Sequence, residues 1–151
     1  MKVKGVYQFF WGVAIICALL GCINSISGEG SVIDINVHDT YFVVAYAHLY
    51  GFFALFYFVT GLTYMLCRPL KLIKVLTGIH TIITIAGFVA YFILLGIVKQ
   101  MHDPHSLFDS TQETQNIGIV IILFLVALVQ PLFLANITAG LVRKIKMEIV
   151  K

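Results

Sequence analysis

The chain has 151 residues and a formal net charge of +3; 60% of its residues are hydrophobic and 13% aromatic, against 11% charged. Soluble domains carry about a quarter charged residues, so this balance excludes an ordinary water-soluble fold and assigns the chain to a bilayer. The modest positive charge calls for no nucleic-acid partner, because the basic residues flank the apolar segments, where they anchor the chain and favour anionic lipid.

A hydrocarbon core about 30 Å thick needs roughly 20 helical residues to cross it, and four segments meet that length: 7–23, 41–66, 75–98 and 117–142. The first follows "MKVKG" and runs into "ALLGC", a pattern shared with lipoprotein signals ending at a cysteine, here Cys22. Read with the three later segments, it is counted as the first of four crossings. Gly28 and Gly30 then mark an outer loop. The second segment carries His48 seven residues below its outer end, about 10 Å deep at 1.5 Å per residue. Helical spacing puts Tyr41, Val44, Ala45, Gly51, Phe52 and Leu55 on the same face. The third segment places Thr77, His80, Thr81, Thr84, Gly87 and Tyr91 along one stripe, which must face another helix or a partner. In the loop that follows, Ser110 and Glu113 have capping-box spacing, and His102 and His105 fall short of a metal site. The fourth segment contains Gln130, Pro131 and Asn136. Pro131 should kink it, and the Asn136-Ile137-Thr138 sequon lies too deep for glycosylation. The three cysteines form neither a CxxC pair nor a haem-attachment motif.

Nine of the ten Lys and Arg residues fall on one side of a four-crossing path: Lys2 and Lys4, then Arg68, Lys71 and Lys74, then Arg143, Lys144, Lys146 and Lys151. The positive-inside rule makes that side cytoplasmic. The expected architecture is therefore all-α, one domain over residues 1–151, a four-helix transmembrane bundle with both termini cytoplasmic. A bacterial inner membrane suits it.

Polar groups inside these segments are costly unless paired. A buried histidine commonly bonds a neighbouring helix, and threonines and small residues commonly form packing faces. For His80, beside three threonines, hydrogen bonding and packing are the favoured role. Gln130 and Asn136 are expected as interhelical hydrogen-bonding groups. For His48, with small neighbours that leave room for something flat, cofactor ligation stands beside the packing role.

The stretch "DINVHDTYFVVAYAH" resembles the signature of the haem-copper oxidase catalytic subunit, subunit I of cytochrome c and quinol oxidases, approximately D-I-x-L-H-D-T-Y-F-V-V-A-H-F-H. Residues 38–45 are identical to that pattern and His48 is in register with its final histidine. The resemblance extends more weakly on both sides and likens the four segments to that family's ninth to twelfth helices. It implies that His48 is an axial ligand of a low-spin haem, the iron being its metal. It implies that His38 and Asp39 form a propionate-anchoring or outer polar site, and that Tyr41, Ala45, Gly51 and Phe52 make the haem-facing surface. Tyr46 stands where the family has the ligand of its oxygen-reducing haem, and the helices that carry the copper ligands have no counterpart here. Oxygen reduction by this polypeptide alone is accordingly not expected, and neither is copper.

The expectation is a non-covalent haem b protein that transfers electrons. His80 is the alternative second ligand within one chain, but a depth difference of about 12 Å between it and His48 opposes the pairing. A homo-oligomer, most economically a dimer in which two His48 side chains share one haem, removes the difficulty. A respiratory-chain partner would then exchange electrons with it. Two other readings stand beside this one: a haem-free accessory or structural membrane protein, and one subunit of a split terminal oxidase.

Overall fold

The structure is a computed structural model that describes residues 5–27, 32–37, 40–101 and 111–149. Its elements run α1 (Val6–Ile26), β1 (Val32–Val37), β2 (Thr40–Ala45), α2 (Tyr46–Leu66), α3 (Lys74–Met101) and α4 (Thr111–Ile149). Each of the four helices contains a stretch long and apolar enough to cross a membrane. The chain groups into two compact units, residues 2–69 and 70–151.

The second helix does not begin at Tyr41. Residues 32–37 and 40–45 pair as an antiparallel hairpin, with Val32 opposite Ala45 and Val37 opposite Thr40. Propensity accounts for the difference: "VIDINV" and "TYFVVA" are dominated by β-branched and aromatic residues, which favour extended backbone. Ala45 keeps that extended conformation, with φ −65° and ψ 136°, and the helix starts at the next residue. The expected four helices are thus present, with one two-stranded sheet added between the first and the second.

In the first unit, α1 and α2 pack through aromatic rings and two glycines. Lipid tails are as apolar as leucine, so close van der Waals fit rather than hydrophobic burial must hold such a pair. Phe10, fully buried, stacks between Tyr57 at 6.2 Å and Tyr64 at 5.5 Å. At Gly61 a Cβ atom would stand 2.5 Å from the Trp11 ring and 3.2 Å from the Phe10 Cβ, so only glycine admits the indole. Towards the other end of α1, Gly21 lies against the Tyr50 Cβ and the Ala47 carbonyl.

In the second unit, α3 and α4 pack through polar groups. Thr77, His80, Thr81, Thr84 and Tyr91 are all buried, which is the stripe expected from helical spacing. Thr77 and Thr81 donate to carbonyls four residues earlier, those of Ile73 just before the helix and of Thr77, at 3.1 and 2.7 Å. Asn136 of α4 accepts from the Ile73 N–H at 2.8 Å and donates to the Thr77 hydroxyl at 2.9 Å and to the Ile73 carbonyl at 3.4 Å. The amide oxygen thereby satisfies the Ile73 N–H at the start of α3, where N–H groups have no intrahelical acceptor, while the Ile73 carbonyl also accepts from the Thr77 N–H at 3.0 Å. Helix α4 continues through Pro131, whose missing N–H leaves the Ala127 carbonyl without its usual bond. Beside it, the Gln130 amide donates to the Val126 carbonyl at 2.8 Å.

Candidate cofactor-facing site on the second helix

Helix α2 has two contrasting faces. Tyr50, Tyr57, Thr60, Gly61 and Tyr64 are buried against α1. His48, Gly51, Phe52, Leu55 and Val59 form an exposed stripe, spaced by three, four and seven residues. Phe52 is 62% and Leu55 63% exposed, and a Cβ placed on Gly51 would meet nothing within 4 Å. The imidazole of His48 consequently projects from an open, apolar surface, and among the described residues it makes no hydrogen bond or ion pair.

The later start of α2 changes where this group falls along the helix. His48 is the third residue of the helix, so it lies about 3 Å below the first helical residue rather than about 10 Å. It lies in the first turn of the helix, and Phe52 and Leu55 continue the exposed apolar surface one and two turns further along. Beyond Leu55 the surface dips into a groove of about 470 Å³ lined by Ala14, Ala18, Ala54, Leu55, Trp11 and Phe58. Trp11 and Phe58 stack at 6.1 Å along it.

Two of the other expected site residues lie off this stripe. Tyr41 belongs to β2 and Ala45 ends it, so neither continues the helical stripe of His48. Thr40 is five residues from Ala45, about 17 Å along a strand. His38 and Asp39 lie outside the described residues, as do His102, His105 and Ser110. Tyr46 stacks on Tyr50 at 6.3 Å, on the other side of α2 from His48, because two residues turn a helix by about 200°. Tyr46 and His48 therefore do not face one common site within the chain.

His80 is committed elsewhere. It is fully buried, its Nε2 lies 3.2 Å from Gln130 Oε1, and its ring stacks on Phe133 with centroids 4.5 Å apart. Ligation would require breaking both contacts. Sequence spacing identified the stripe that holds His80, but Phe133 carried no polar signal that could have marked it as the ring's partner.

A haem can be tested against these residues by donor chemistry. Axial ligation needs one imidazole nitrogen per side, an apolar bed for the macrocycle and room to approach. His48, Phe52, Leu55 and the open surface at Gly51 meet those needs on one side, so the residues fit half of a bis-histidine site. Among the described residues no group of three or more His, Cys, Asp or Glu side chains is placed to hold a metal ion. No family model, curated protein or solved structure matches the chain.

Proposed function

We propose that the protein is a multi-pass membrane b-type haem protein of the bacterial inner membrane that transfers electrons, with both termini cytoplasmic and His48 as axial ligand. The observation that carries the reading is the exposed His48 imidazole at the head of an exposed apolar stripe on a membrane-crossing helix. One-electron transfer is the chemistry a bound haem b supplies.

The chain's own contribution is positional. His48 offers a nitrogen lone pair to iron, while Phe52 and Leu55 keep water from one face and so help set the potential. The second ligand is His48 of a second copy related by a twofold axis, since His80 is occupied by Gln130 and Phe133. His38 and Asp39 are proposed as the outer polar groups near the propionates.

A second reading, a haem-free accessory protein, draws support from Tyr46, which packs on Tyr50 where the resembling family has a ligand. Absorption spectroscopy separates the two. Protein purified in detergent and supplied with haem should show a sharp reduced α-band, with one haem per two chains. His48→Ala should abolish the band and His80→Ala should retain it. Absence of any Soret absorption after reconstitution would overturn the haem reading, and co-purification with a copper-containing complex would favour a split-oxidase subunit.

A further inference from the structure

In the second unit the segment leading into α3 packs beside the last turns of α4. Gly140 allows the contact, since a Cβ there would meet Leu72 at 3.0 Å and Leu70 at 3.3 Å. Arg143 Nη1 donates to the Lys71 carbonyl at 3.4 Å, and Lys71 Nζ donates to the Met147 sulfur at 3.5 Å. Two cations from separate segments are thereby held in one exposed corner.

Their charge is not neutralised there. A thioether is a weak acceptor and carries no charge. Among the described residues of this end, Lys71, Lys74, Arg143, Lys144 and Lys146 face a single carboxylate, Glu148, and that carboxylate lies 3.9 Å from Lys144. Holding like charges together costs free energy that a bound anion returns. Arg143 spends one N–H on the Lys71 carbonyl and retains the rest of its guanidinium fork, a shape suited to phosphate oxygens.

We propose that this corner binds the phosphate of an anionic phospholipid, with Lys71 and Arg143 as its principal partners. A lipid is favoured over a soluble phosphate by position. The corner closes two membrane-crossing helices, and Leu141, Val142 and Ile145, each 46–48% exposed, offer apolar surface next to Arg143 for the acyl chains. Basic pockets between helices at the membrane edge recognise such headgroups.

Native mass spectrometry of the full chain in neutral detergent, titrated with dioleoylphosphatidylglycerol or dioleoylphosphatidylcholine, tests the site. The anionic lipid should bind at least tenfold more tightly. The double variant Lys71→Ala/Arg143→Ala should weaken it about thirtyfold, by about fivefold per charge. Lys144→Ala, which removes the partner of Glu148, should change it less than threefold. Both substituted side chains are exposed, so the fold should persist; circular dichroism checks this, and Lys71→Gln/Arg143→Gln provides a second pair that must weaken binding equally. Equal binding of the two lipids, or a double variant within twofold of the natural protein, would overturn the proposal. Full displacement by millimolar inorganic phosphate would overturn the lipid assignment.

Discussion

The two helix pairs are joined by opposite chemistry. Helices α1 and α2 interlock through Phe10, Trp11, Tyr50, Tyr57 and Tyr64, and they leave His48 exposed. Helices α3 and α4 interlock through threonines, Gln130 and Asn136, and they enclose His80. The same side chain thus has two fates. Where the packing face is polar, the histidine completes it; where the packing face is aromatic, the histidine on the opposite face remains available. Availability, more than membrane depth, separates a candidate ligand from an interhelical hydrogen-bonding group.

This contrast can be broken most sharply at the two histidines. His48→Ala should remove the haem α-band completely while leaving the detergent melting curve of the haem-free protein within about 0.5 kcal/mol of the haem-free natural protein, as for other exposed positions. His80→Ala should do the reverse, keeping the band and costing about 1–2 kcal/mol through the lost Gln130 bond and the void beside Phe133. Loss of the band in both variants, with equal destabilisation, would erase the distinction.

On the polar side, Asn136→Ala removes three hydrogen bonds and strands the Ile73 N–H, and should destabilise the α3–α4 pair by about 2–3 kcal/mol. Unfolding in mixed detergent, read by circular dichroism, measures it. A change below about 0.5 kcal/mol would mean that the amide is dispensable.

On the aromatic side, Gly61→Ala drives a methyl into Trp11 and should cost about 1–2 kcal/mol. Trp11 is the only tryptophan in the chain, so its emission reports the displacement directly. An unshifted emission maximum with unchanged stability would show that the indole moves aside freely.

The smallest expected effect concerns Cys67, at the C-terminal end of α2, whose thiol is pushed above its ordinary value by burial. The thiolate is the reactive form, so a raised value lowers alkylation at neutral pH. The rate should keep climbing as pH passes 9.0, the ordinary value. A rate that levels off below pH 9.0 would contradict the burial.

Much of this was legible along the chain. The α3 stripe could be read from spacing because its buried positions are polar residues that would otherwise be expensive in lipid. The role of Asn136 followed the same logic, though its attachment to Ile73 and Thr77 did not. The hairpin leaves no mark in hydropathy, because an apolar run of β-branched and aromatic residues next to an apolar helix gives no break, so the apolar segment reads as helix back to Tyr41. Tyr41 and Ala45 consequently do not share the helical face of His48, which falls in the first turn of α2 rather than two turns into it.

The sequence by itself determined that four segments are long and apolar enough to cross a membrane, because length and composition alone govern transfer into lipid. It also determined the faces of each helix, since 3.6 residues per turn is a property of the backbone. Only the tertiary structure decided which face meets a neighbour. Burial of His80 against Gln130 and Phe133, and exposure of His48 beside Phe52, depend on contacts between residues far apart in the chain, which no local period encodes.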